Sequence, residues 1–89
     1  MKNKNSNRYA LITGTSSGIG KAYAIRLAYE GYNIIAVGRD DAALKKAIQE
    51  MPNPREGSHK YFSADLSTKQ GVRKVINMAK MAKVVVANA

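Results

Sequence analysis

The sequence predicts an α/β fold: a doubly wound parallel sheet, of which this chain forms the N-terminal β-α-β-α-β-α-β portion. Three observations carry that expectation. Short apolar runs alternate with segments whose apolar residues recur at helical spacing, the order that yields parallel strands joined by helices. A glycine-rich turn, Gly14 to Gly20, separates the first apolar run from the first helical segment. Glycines and prolines then punctuate the next three junctions, at Gly31, Gly38, and Pro52 with Pro54. Right-handed crossovers in such a layout give the strand order 3-2-1-4.

The elements follow in order. Residues 1–8 form a polar lead-in, and 9–89 the partial domain. Tyr9 to Thr13 is an apolar run that stops at glycine, as a buried strand does. From Ile19 to Glu30, Ala22, Ile25 and Tyr29 recur at helical spacing, with Ala24 and Ala28 as further helix formers. Gly31 sits where a helix C-terminus ends. Asn33 to Val37 is the second strand, broken by Gly38. Asp40 is placed to N-cap the next helix. Leu44, Ala47, Ile48 and Met51 form its apolar face, and Pro52 and Pro54 end it. His59 to Ser63 is a weaker third strand, and Ala64-Asp65-Leu66 turns the chain. Ser67 and Gln70 have the spacing of a capping box. Val72, Val75, Ile76 and Ala79 give the following helix its apolar face, and Val84 to Ala87 is a fourth strand.

Composition bounds the function. The chain has 89 residues, 45% of them hydrophobic, which is globular rather than disordered. A chain this short buries only about 60% of its unfolded surface, so its core is marginal when it stands alone. It has no cysteine, which excludes disulfides and thiolate metal sites and fits a cytoplasmic setting. Fifteen basic and six acidic residues give a net charge of +9, which favours anionic ligands. The cations are scattered without interleaved aromatics, so nucleic acid is not the expected partner. The lead-in lacks an apolar core for a signal peptide, and no apolar run approaches the ~20 residues that span a bilayer. No metal is expected.

The glycine turn carries the chemistry. Amides at the start of a helix lack partners, and the helix dipole adds positive charge there, so a strand-to-helix turn holds phosphate. Glycines let an anion approach the backbone, and Ser16 and Ser17 add hydroxyl donors. The spacing G-x-x-x-G-x-G departs from G-x-G-x-x-G. It also departs from the P-loop, because Lys21 is followed by Ala22 rather than Ser or Thr. A nucleoside triphosphate is therefore not expected.

Thr13-Gly14-Thr15-Ser16-Ser17-Gly18-Ile19-Gly20 resembles the TGxxxGIG signature of the short-chain dehydrogenase/reductase family. The resemblance implies a Rossmann-like sheet, a nicotinamide dinucleotide cofactor, and coenzyme contacts at Gly14, Ser16, Ser17, Gly18, Ile19 and Gly20. The second strand ends Val37-Gly38-Arg39-Asp40. Gly38 occupies the position of an NAD-selecting Asp, and Arg39 follows it. A guanidinium paired with the 2′-phosphate of NADP is worth on the order of 1.5–3 kcal/mol. NADP(H) is therefore expected over NAD(H), although Asp40 could instead accept from the ribose. The resemblance further implies that Asp65 contacts the adenine amino group, aided by the backbone of Leu66. Val85-Val86-Ala87-Asn88-Ala89 is similar to the family's strand running into NNAG, with Ala87 replacing the first Asn. Asn88 would then support the ribose region.

The family's catalytic Tyr-x-x-x-Lys pair has no counterpart here, since no tyrosine has Lys four residues on. Tyr23 and Tyr29 read as packing residues, and His59 as a strand-edge residue rather than a base. No catalytic residue is expected within these residues. A fourth strand apolar on both faces, with nothing after it, reads as an exposed sheet edge, which points to truncation. The expectation is an NADP(H)-dependent oxidoreductase acting on a small carbonyl or alcohol substrate, homo-oligomeric when intact and inactive as this segment alone. The alternative is a non-catalytic NAD(P)-binding or partner-binding module.

Overall fold

The computed structural model describes residues 8–15, 18–52 and 59–86. Four strands and three helices alternate: β1 (Tyr9–Thr13), α1 (Gly18–Tyr29), β2 (Asn33–Gly38), α2 (Asp41–Gln49), β3 (Lys60–Ser63), α3 (Lys69–Ala79) and β4 (Ala82–Val86). They form one parallel sheet in the order β3-β2-β1-β4, as the sequence predicts. Helices α1 and α2 cover one face, where Ala24, Ala28 and Leu44 join Ala10, Ile12, Ile34 and Ala36. Helix α3 covers the other, where Val75, Met78 and Ala79 pack against Leu11, Ile35 and Val37.

The two central strands are buried on both faces because helices lie on each side. That explains their unbroken apolar runs. The outer strands are less covered. Strand β4 begins at Ala82, two residues earlier than its apolar run suggests, and its residues alternate between half-buried and exposed. A register shift explains the early start: Tyr9 and Ala10 are neighbours in β1, but their partners are Ala82 and Val84. The extra residue, Lys83, is a bulge, and beyond it Val84 and Val86 join the α1 side. Val85 points the other way and is half exposed, so β4 is not covered on both faces.

Helix α1 packs on a different stripe from the one its larger residues suggest. Gly20, Ala24 and Ala28 are buried, whereas Ala22, Tyr23 and Tyr29 are exposed. Residues four apart share a helix face, and small ones let the helix lie close to the sheet. The tyrosines are therefore not packing residues. Helix α2 follows its expected pattern: Leu44, Ala47 and Met51 are buried, and Ile48 packs against the same core. Asp40 caps it, accepting from Ala43 N at 3.1 Å. Lys21 of α1 pairs with Glu50 at its far end, and that hydrogen bond and charge hold the Glu50 carboxyl below its ordinary value. Helix α3 presents Val72 and Ile76 to solvent, so only part of its expected face is used.

The capping box at Ser67 does not form. Asp65 takes both the amide and the hydroxyl of Ser67. The cap passes to Thr68, whose backbone is extended and whose Oγ1 accepts from Gly71 N at 3.0 Å.

His59 lies just ahead of β3 and is buried. Its Nδ1 accepts from Ile34 N at 2.9 Å, and its Nε2 lies 2.6 Å from Pro52 O. The ring is therefore the Nε2–H tautomer, donating to the proline carbonyl. It serves an amide at the start of β2, one residue before that strand's first partner in β3. Replacing His59 by leucine should strand that buried donor and destabilise the fold by about 1–3 kcal/mol. A lowered urea midpoint with an unchanged slope would show it; an unchanged midpoint would refute it.

Candidate functional site

Because every strand is parallel, Thr13, Gly38, Ser63 and Val86 end on the same edge of the sheet. The chain leaves β1 toward β2 on one side and reaches β4 on the other, so the β1–β4 junction is the switch point where ligands of such sheets bind. Backbone bonds carry the ladder past the strands: Gly14 N donates to Val37 O at 2.9 Å, and Ala64 N to Gly38 O at 2.8 Å. Thr13 Oγ1 donates to Val86 O at 3.4 Å, bracing β1 against β4 at this edge.

The glycine turn leaves β1 through backbone that only glycine adopts at low cost. Gly14 has φ 67° and Gly18 has φ 62°. An ordinary L-residue in this region costs roughly 1–2 kcal/mol. Among the described residues beyond its chain neighbours, a Cβ on Gly18 would meet nothing within 4 Å. Between the glycines, Thr15 is fully buried and its Oγ1 donates to Ile12 O, tying the turn to the strand it leaves. Gly18, Ile19 and Gly20 form the first turn of α1, which contains no acidic residue. An anion there meets unpaired amides and the positive end of the helix dipole without a competing carboxylate. Ile19 is exposed. Ser16 and Ser17 lie outside the described residues.

Arg39 follows β2 directly and is exposed. It lines a cavity of about 310 Å³ with Ser63, Ala64 and Asp65. Two expected site residues thus come together although 26 positions separate them, because Gly38 and Ser63 are partners in the β2–β3 register. Asp65 is held firmly. Its Oδ1 accepts from Ser67 Oγ at 2.6 Å and Ser67 N at 2.9 Å. Those bonds, the hydroxyl first, hold its carboxyl below the ordinary value, and Arg39 adds a smaller effect in the same direction. Asp40 caps α2 through Oδ1, accepting from Ala43 N, and is exposed. Leu66 is exposed beside Asp65. Asn88 lies outside the described residues.

Two residues of this edge escape the sequence reading. Thr15 sits inside the motif, but nothing in the pattern marks which of its variable positions is buried. Gly71 does leave a signal, since glycine inside a helix costs about 1 kcal/mol relative to alanine and so calls for a reason. Among the described residues no cluster of His, Cys, Asp and Glu is suited to a metal ion, and no helix is long and apolar enough to cross a membrane.

A parallel β3-β2-β1-β4 sheet with a glycine turn opening its first helix is a Rossmann-like α/β domain, present here in part. A family model for short chain dehydrogenases matches residues 8–89. The chain belongs to the short-chain dehydrogenase/reductase family, whose members bind nicotinamide dinucleotides. It is 37% identical over 67 residues to a 7beta-hydroxysteroid dehydrogenase of Mediterraneibacter gnavus, covering 75% of this chain and 26% of that protein. It is 34% identical over 79 residues to a (3R)-3-hydroxyacyl-CoA dehydrogenase of Homo sapiens, covering 82% of this chain and 30% of that protein. The crystal structure of L-sorbose reductase from Gluconobacter frateurii, complexed with NADPH and L-sorbose, superposes with a TM-score of 0.79 at 33% identity. That match covers 100% of this chain and 35% of the reductase. The chain thus spans about a third or less of each of these relatives.

Proposed function

We propose that this chain supplies the coenzyme-binding part of an NADP(H)-dependent oxidoreductase, with residues 9–89 as the N-terminal part of its Rossmann domain and 1–8 as a lead-in. The observation that carries the reading is the left-handed glycine turn, which opens an acid-free helix N-terminus on the edge where all four strands end. In this reading the amides of Gly18, Ile19 and Gly20 hold the pyrophosphate, Gly14 lets it approach, and Ser16 and Ser17 add hydroxyls. Arg39 pairs with the 2′-phosphate. Asp65 accepts from the adenine amino group through Oδ2, its Oδ1 being taken by Ser67, and the backbone of Leu66 assists. Asn88 supports the ribose region.

The residues present fit the coenzyme. A Cβ on Gly18 would meet no described residue beyond its chain neighbours, and one cation and one carboxylate meet at the cavity beyond β2 and β3. When bound, the coenzyme supplies or accepts a hydride, exchanged with a small carbonyl or alcohol substrate. The NADPH present in the L-sorbose reductase complex supports the choice of dinucleotide. We also propose a cytoplasmic location and a homo-oligomer for the intact protein.

The test is an NMR titration of the isotopically labelled intact protein. Addition of NADPH is expected to move the amide signals of Gly18, Ile19 and Gly20. Signals that stay in place at saturating NADPH and NADH would remove the pyrophosphate from this turn.

A further inference from the structure

We infer that Gly71 is a positioning residue for the adenosine half of the coenzyme site, acting through the backbone of Asp65. This rests on the role proposed for Asp65 above. Gly71 lies in the first turn of α3 and is buried. A Cβ built on it would stand 1.9 Å from Asp65 O, 2.6 Å from its carbonyl carbon and 3.0 Å from its N. All three are backbone atoms, so no side-chain rotation relieves the overlap. Either the turn holding Asp65 or the start of α3 has to move.

The surrounding bonds show why the approach is so close. Thr68 N and Thr68 Oγ1 both donate to Asp65 O, at 3.1 and 2.9 Å. The same Oγ1 accepts from Gly71 N at 3.0 Å. One hydroxyl thus joins the Asp65 carbonyl to the Gly71 amide and draws the helix down onto the turn. On the other side of that turn, Asp65 lines the cavity with Arg39, Ser63 and Ala64. A methyl group at position 71 would push Asp65 from behind and move its carboxylate relative to Arg39. Helix propensity acts in the opposite direction, because alanine is a better helix former than glycine. The substitution would stabilise α3 if the contact were of no consequence.

The experiment compares Gly71→Ala, Thr68→Ala, Asp65→Ala and Val75→Ala in the intact protein, at a temperature where circular dichroism shows each folded. Calorimetry measures the affinities for NADPH and for 2′,5′-ADP, which carries only the adenosine half. Gly71→Ala is expected to weaken both ligands by the same factor, about tenfold, the loss of one well-placed bond to a charged group. Val75→Ala, on the sheet-facing side of α3, should lower the melting temperature and leave both affinities alone. Wild-type affinity in Gly71→Ala, with Asp65→Ala weakened, would overturn the inference and keep the role of Asp65. Wild-type affinity in Asp65→Ala would instead overturn that role and the inference with it. Should Gly71→Ala fail to fold, Thr68→Ala decides, since it removes the hydroxyl that joins the Asp65 carbonyl to the Gly71 amide without adding an atom: weaker binding of both ligands is expected, and unchanged binding would refute the proposal.

Discussion

Replacing Arg39 by alanine in the intact protein is expected to weaken NADP(H) binding roughly ten- to a hundredfold, the value of a charge-assisted pair with phosphate. NAD(H) binding should change by no more than about twofold, because a ribose hydroxyl offers the guanidinium no charge. The asymmetry follows from the 2′-phosphate contact proposed for Arg39. Gly38 has no side chain to accept from a 2′-hydroxyl, and Asp40 is engaged with Ala43 N. Arg39 follows at the end of the same strand and borders the same cavity as Asp65. The site is exposed, so the effect should shrink as salt rises. Titrating wild type and variant with both coenzymes measures it. Equal losses for the two coenzymes would exclude a 2′-phosphate contact and leave Arg39 an adenine-stacking or surface residue.

Leu44→Ala should produce the largest loss of stability, about 2–5 kcal/mol. Leu44 is fully buried at the junction of α2 with the sheet. Its side chain also fills the space beneath Gly38, where a Cβ would come within 3.3 Å of Leu44 Cδ2. Truncation leaves a cavity that neither the rigid strand nor the capped helix can close. Against a typical domain stability of about 5–15 kcal/mol this is a large fraction. The melting temperature should fall by at least about 10 °C. The exposed neighbour Lys45, changed to alanine, should stay within about 0.5 kcal/mol of wild type. A Leu44→Ala melt indistinguishable from wild type would mean that α2 does not seat on β2 as described. Coenzyme affinity should fall with it even where the variant remains folded, because Arg39 is anchored next to the position that loses support.

What could be read in advance divides along physical lines. Strand order, helix order and the glycine turn were legible because they depend on local features: apolar runs, glycines at a strand-to-helix junction, and an aspartate ahead of a helix. Asp40 caps α2 as its position implies, and Leu44 and Ala47 face inward as their spacing implies. The errors come from competition between partners. Ser67 fits the pattern of a cap, but Asp65 two residues earlier captures both its donors. Tyr29 looks like a core residue by size, yet the close approach of α1 favours Ala24 and Ala28. His59 was not legible as a bridge between Ile34 and Pro52, because both partners are distant backbone atoms. That Arg39 and Asp65 border one cavity required the register of β2 on β3, which no periodicity encodes. The coenzyme contacts of Gly14, Ser16, Ser17, Gly18, Ile19, Gly20, Arg39, Asp65, Leu66 and Asn88 are all proposals.

The bulge at Lys83 separates the way β4 begins from the way it ends. Slack in the connection from α3 is taken up between Ala82 and Val84, before the strand settles into step with Ala10, Leu11 and Ile12. Val86 can therefore keep its seat beside Thr13 when the segment that delivers it changes length by one residue. Gene variants that add or remove a residue near position 83 should spare the edge where Thr13 and Val86 meet, while the same change at Val85 would throw that edge out of frame.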